Sequence, residues 1–147
     1  MAGNIINGPS VGNWVAKRLE FTFVPNLAMA IGFEKNNELV AGVVYDNWNY
    51  RSIAAHIVID GRITSSFLAA IFHYPFIVCQ VDKIIAQISD DNTKSKTLAR
   101  KMGFVEEARI KEACVNGDMV FYTLPRNKCR FIGKRYEQKI STPPSAS

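Results

Sequence analysis

Asp91-Asn92-Thr93-Lys94-Ser95-Lys96-Thr97-Leu98-Ala99-Arg100-Lys101-Met102-Gly103-Phe104 holds a helix start, an amphipathic repeat and a glycine stop in one short run. Asn92 or Asp91 can accept from the free N–H groups of a first helical turn. Ser95, Leu98, Ala99 and Met102 recur on one face at helical spacing, and Gly103 offers a left-handed exit. The run predicts a short helix leading straight into a strand, with Lys94, Lys96, Arg100 and Lys101 turned to water.

On the C-terminal side, residues 104–113 and 118–124 flank Asn116-Gly117, a strong two-residue hairpin signal. On the N-terminal side, residues 82–89 read as a strand. Before it, Ile63, Phe67, Ala70, Ile71 and Tyr74 recur at helical spacing, and Pro75 is expected to close that helix. In residues 52–60, Ile53, Ala55, Ile57 and Ile59 alternate with Ala54, His56 and Val58, so both faces are mostly apolar and the strand should be central. Two such strands joined by a helix make a β-α-β crossover, so residues 52–60 and 82–89 should run parallel in one sheet. Residues 27–35 and 38–48, joined at Asn36-Asn37, read as an antiparallel hairpin with Gly42 marking a bulge. Val11, Trp14, Val15 and Leu19 give residues 10–21 a helical apolar side, and residues 1–9 read as a loop.

The 147 residues, 48% hydrophobic and 21% charged, suit one domain with a sizeable core. No apolar run approaches the roughly 20 residues that cross a bilayer, and residues 1–13 lack a basic and an apolar region in signal-peptide order. A soluble, cytoplasmic protein is expected. Cys79, Cys114 and Cys129 show neither a disulfide framework nor metal-ligand spacing. The net charge of +5 comes from the C-terminal end: residues 1–124 hold 12 basic and 12 acidic side chains, residues 125–147 six and one. That basic end is read as a solvated tail, with an anionic partner as the alternative. The expected organisation is a domain over residues 1–132 and a basic, Pro/Ser-rich, disordered tail over residues 133–147.

The pattern Asn92-x-x-Ser95-x-x-x-Ala99-x-x-x-Gly103-Phe104, followed by Glu106-Glu107 and Arg109, resembles the C-terminal half of the GNAT superfamily of acetyl-CoA-dependent N-acetyltransferases. The element order agrees from that family's second strand onward, over residues 10–124. Residues 71–76 and the short N-terminal part look like small bacteriophage-encoded members, whose setting would be the host cytoplasm. The fold so implied is α/β (α+β): a mixed, mostly antiparallel sheet with a central splayed parallel strand pair and flanking helices. The activity implied is acetyl transfer from acetyl-CoA to a protein N-terminus, a lysine or a small-molecule amine by direct attack, with no metal. A homodimer is left open.

By the same resemblance the pantetheine arm of acetyl-CoA lies between residues 52–60 and 82–89, with Ala55, Ile57, Val58 and Ile59 offering backbone partners and Asn92 and Ser95 near the thioester. Its diphosphate falls at Arg62-Ile63-Thr64-Ser65-Ser66, where a helix N-terminus presents unpaired N–H groups. The family's glycines are replaced here by Ser65 and Phe67, which implies a wider loop, help from the Thr64, Ser65 and Ser66 hydroxyls, or no CoA at all.

Acetyl transfer needs a base for the amine and an acid for the leaving thiolate. The family's usual tyrosine acid is replaced by Ala99. Ser95 matches the serine proposed as acid in ribosomal-protein N-terminal acetyltransferases, and Tyr122 is a second acid candidate. Glu112, where that subgroup carries a glutamate, and His56 on the central strand are the base candidates. Against each stands a structural role: helix cap for Asn92, local hydrogen bonding for Ser95, core packing for His56 and Tyr122. Trp48, Tyr50 and residues 109–118 are candidate walls for the amine. Two readings compete with catalysis: a catalytically weak GNAT-like binding protein engaging an anionic partner, and a nucleic-acid module, which lacks a zinc or RNA-binding signature.

Overall fold

The structure is a computed structural model that describes residues 3–133. Its strands are β1 (Asn4–Asn7), β2 (Ala28–Lys35), β3 (Glu38–Asp46), β4 (Ser52–Ile59), β5 (Lys83–Ser89), β6 (Val105–Cys114) and β7 (Gly117–Pro125). The helices are α1 (Pro9–Leu19), α2 (Ser65–His73) and α3 (Thr93–Lys101). The strands form a sheet in the order β1-β2-β3-β4-β5-β7-β6, antiparallel except for β4 beside β5. This is the mixed, mostly antiparallel sheet expected, with β4 at its centre.

The alternation in β4 sorts the two faces. Ile53, Ala55 and Ile57 meet Phe67, Phe72, Phe76, Ile84, Ala99, Met102 and Tyr122 under α2 and α3. Val58 joins Ala30 and Val44 on the other face, where Val11 and Val15 of α1 pack. Gly32 and Gly42 sit opposite each other in β2 and β3, in regular register. A Cβ on Gly42 would stand 2.7 Å from Val15 Cγ2, so this glycine lets α1 approach the sheet. The bulge expected at Gly42 lies instead between Phe33 and Glu34.

Other departures have clear local causes. Residues 4–7, expected as loop, pair with β2 as an edge strand, because an edge needs only one partner and tolerates polar side chains. Pro75 does not end its segment: a wider π turn, Tyr74–Val78, continues from α2, with the Cys79 N–H donating to Tyr74 O at 2.9 Å. Having no N–H, Pro75 cannot bond the Ile71 carbonyl, and the buried Tyr45 hydroxyl donates to it instead. Burial pushes that phenol well above its ordinary pKa, so it remains a donor.

The β2–β3 turn is as expected, with Asn36 and Asn37 at φ 53° and 66°. In the β6–β7 hairpin the turn slips by one residue: Cys114 pairs with Gly117, leaving Val115 and Asn116 at the tip. The left-handed residue there is Glu112, φ 55°, in a bulged stretch of β6.

α3 begins as expected, with Asn92 Oδ1 accepting from Ser95 N at 3.0 Å, and exits through Gly103 at φ 103°. Three of its four cations are engaged rather than simply hydrated. Lys94 Nζ donates to Asp60, Lys96 Nζ to Asp90, and Arg100 Nη2 to the Tyr122 hydroxyl. Residues 126–133 fold back on the domain: Phe131 is buried and stacks on Phe72, centroids 4.8 Å apart. From residue 134 onward the expected tail lies outside the described residues, as do residues 1 and 2 of the expected N-terminal loop. No helix among the described residues is long and apolar enough to cross a membrane.

Candidate active site

β4 and β5 are in register at only three positions: Ser52 with Lys83, Ile53 with Ile84 and Ala54 with Ile85. Beyond these β4 stays paired to β3 as far as Ile59, and β5 to β7 as far as Ser89, while the two strands part from each other. The facing edges of residues 55–59 and 86–89 therefore carry backbone groups that no strand satisfies. Small side chains at the fork, Ala54, Ala55 and Ala86, leave the gap open. Phe67 is not at its mouth; it is fully buried beside Phe33, ring centroids 5.4 Å apart.

A cavity of about 310 Å³ occupies the wedge and is lined from both faces of the sheet. Ala86, Ile88, Asn92, Ser95, Leu98 and Ala99 line it from the α3 side, and Glu20, Phe21, His56, Gln87, Cys114 and Met119 from the α1 and hairpin side. A second cavity, about 280 Å³, shares Ile57, Asn92, Ser95 and Leu98 and runs on past Val58 and Ile59 to Arg18, Asp60 and Lys94. The wedge is thus a passage with one long arm along β4 and one short arm through the sheet. A larger open hollow, about 740 Å³, lies on the bare face of β5, β7 and β6 around Ile85, Phe121 and Ala108. Four of its rim charges pair with each other, Arg51 with Asp82 and Lys83 with Glu107, and the fifth, Arg126, donates to the Val81 carbonyl. The hollow lacks both the unpaired strand edges and a histidine.

His56 is held rather than merely buried. Its Nε2 lies 3.1 Å from each oxygen of Asp46, and Phe21 stacks on its ring, centroids 4.3 Å apart. Asp46 pairs with Ala54 across the ladder, so the contact to His56 is the diagonal one of a β hairpin. With a carboxylate at Nε2 the ring takes the tautomer that donates from Nε2, leaving Nδ1 as proton acceptor.

Of the residues singled out from sequence as cofactor-binding or catalytic, Ala55, His56, Ile57, Val58, Ile59, Asn92 and Ser95 line the two cavities. Arg62, Ile63, Thr64, Ser65 and Ser66 line neither. Thr64 caps α2, its Oγ1 accepting from Phe67 N at 3.1 Å, and Ile63 packs on the core. Arg62 is exposed, without an ion pair among the described residues. Glu112 is exposed on β6 outside the cavity lining, its backbone N–H donating to Asp118 Oδ1. Tyr122 is fully buried beneath α3. Trp48 and Tyr50 lie against each other at the β3–β4 turn, away from both cavities. Asp46, Phe21, Glu20 and Arg18 were not singled out. The offset of Asp46 from His56 across a short hairpin was the available signal for the first of these. Among the described residues no group of three or more His, Cys, Asp or Glu is placed to hold a metal ion.

No protein-family model matches the chain, and no curated protein matches it in sequence. Solved structures do match. A spermidine N-acetyltransferase chimera of Vibrio cholerae and hSSAT superposes with a TM-score of 0.66 at 17% identity, over 87% of this chain and 98% of that one. The V. cholerae spermidine/spermine N-acetyltransferase solved with manganese ions gives 0.66 at 16%, over 86% and 94%. A probable acetyltransferase gives 0.58 at 17%, over 69% and 62%. The fold is that of the GNAT acetyltransferases.

Proposed function

We propose that this chain is an N-acetyltransferase that moves an acetyl group from acetyl-CoA to an amine by direct attack within the wedge. The observation behind this reading is the parallel pair that parts after Ala54 and Ile85, beside a cavity lined from both faces of the sheet. The residues present suit such a ligand. A pantetheine arm is a chain of amides, and the free edge of residues 55–59 can meet it as a strand would. On this reading its length follows Ile57, Val58 and Ile59, its thioester end sits near Ala55 and Ser95, and Asn92 lies beside the arm.

The short passage through the sheet is the amine's route. Asp46 and Glu20 on that side favour a cationic amine, and spermidine, which the structural neighbours are named for, is the first acceptor to test. The reacting nitrogen first gives its ammonium proton to solvent. As the neutral amine bonds to the carbonyl carbon, His56 Nδ1 takes the second proton, the Asp46 carboxylate stabilises the imidazolium, and the ring returns that proton to solvent after turnover. The C–S bond breaks, and the leaving thiolate takes a proton from Ser95, which is reprotonated from solvent. Asp46 is a positioning residue; His56 and Ser95 are the catalytic residues. Glu112, exposed outside the cavity, is replaced by His56 as the base in this reading.

The second reading is a GNAT-like binding protein with little turnover, favoured by Ala99 in place of the tyrosine and by Ser65 and Phe67 in place of the glycines. Calorimetric titration with acetyl-CoA together with thiol release over an amine panel separates the two. Binding with turnover supports the transferase; binding without turnover on any amine supports the second; no binding removes both.

A further inference from the structure

Three charged residues, from α1, from α3 and from the position just after β4, meet where the long arm of the wedge opens. Arg18 Nε, in the last turn of α1, donates to Asp60 Oδ2 at 3.0 Å, and Lys94 Nζ, in the first turn of α3, donates to Asp60 Oδ1 at 2.8 Å. All three line the outer cavity. The Arg18 guanidinium is also fixed from behind: it lies 3.8 Å from the Trp14 ring centroid, and Nη1 donates to the Trp14 carbonyl at 3.3 Å. Lys94, by contrast, is largely exposed and held by Asp60. One carboxylate thus holds two cations and leaves an excess positive charge at the mouth.

The loop that should cradle a diphosphate is poorly built for it. Ser65 and Phe67 stand where glycines would let the backbone approach, and the Thr64 hydroxyl is committed to capping α2. A diphosphate carries more charge than Asp60 and more acceptor oxygens, so it competes well for the same two donors. We infer that Arg18 and Lys94 are the diphosphate-binding cations of this chain, and that Asp60 is an internal anion that holds them across the mouth until the ligand displaces it. The inference rests on the wedge being the acetyl-CoA site. The hydrogen bond from Lys94, followed by that from Arg18, keeps the Asp60 carboxyl below its ordinary pKa, so the competitor remains charged at neutral pH.

The test is calorimetric titration of the full chain with CoA, with dephospho-CoA, which keeps the diphosphate but lacks the 3′-phosphate, and with pantetheine, which lacks both. Each change seen with CoA should recur with dephospho-CoA, and a change confined to CoA would overturn the inference. Removing one charge-assisted contact should weaken CoA roughly tenfold in Lys94→Gln and at least as much in Arg18→Gln. Lys94→Arg should keep most of the affinity, and Asp60→Asn should tighten CoA severalfold. Pantetheine binding should not change in any of them. Lys94 is exposed enough that its loss leaves the fold intact, and unfolding midpoints check this for Arg18. If the unaltered chain binds CoA but both cation variants bind it within twofold of that value, the inference fails while the acetyl-CoA reading stands. Equal weakening of CoA and pantetheine also overturns it. If the unaltered chain binds no CoA, both fall together.

Discussion

Asp46→Asn isolates the charge behind the proposed base, because an asparagine carbonyl can still accept from His56 Nε2. Two unit charges 3.1 Å apart attract by about 5 kcal/mol at an effective dielectric of about 20. The His56 and Asp46 side chains are 20% and 24% exposed, so solvent screens part of that. Halving it leaves roughly 2–3 kcal/mol of help to the imidazolium, or about a hundredfold in rate. The assay is thiol release from acetyl-CoA at saturating amine, with acetyl-CoA titrated separately. Asp46→Asn should lower kcat about a hundredfold and leave acetyl-CoA affinity and the unfolding midpoint near those of the unaltered chain. His56→Gln should lower kcat by roughly 10²–10⁴. Because Asp46 acts through His56, adding Asp46→Asn to His56→Gln should cost less than a further twofold. A single Asp46→Asn variant within threefold of full kcat, or losses that multiply in the double variant, would refute the dyad.

Thr64→Ala removes the α2 cap and should cost about 1 kcal/mol, seen as a fall of about 3–5 °C in a thermal melt; an unchanged melt would mean the cap contributes nothing. Asn92→Ser keeps a capping oxygen, so stability should hold while acetyl-CoA binding weakens; unchanged binding would leave Asn92 with the cap alone. Gly42→Ala drives a Cβ to 2.7 Å from Val15 Cγ2 and should destabilise by roughly 1–3 kcal/mol in urea titrations; a neutral result would show that α1 has room to shift. Hydrogen bonds from Lys96 and then Arg109 hold Asp90 at a pKa of about 2, below the unfolded value near 4. That stability is therefore present above about pH 4 and is lost as pH falls towards 2, so Asp90→Asn should flatten this part of the urea-midpoint profile. An unchanged acid slope would assign the loss to other carboxylates.

The sequence by itself determined the elements whose signals are local. The cap at Asn92, the exit at Gly103, the two-asparagine turn after β2 and the two-faced apolar alternation of β4 each act through hydrogen bonds or sterics within a few residues. The β-α-β handover placed β4 and β5 side by side because so few topologies connect them. The edge strand β1 and the turn through Pro75 were not legible in this way, since each depends on a partner distant in sequence, β2 for the one and the Tyr45 hydroxyl for the other. The same division runs through the site. Ser95, Asn92 and His56 carry recognisable residue types at readable positions, whereas Arg18, Asp60 and Lys94 are ordinary surface charges until α1, α3 and the end of β4 converge. Where β4 and β5 stop pairing is likewise a property of the whole sheet: each strand follows its outer neighbour, and the gap opens where those neighbours diverge.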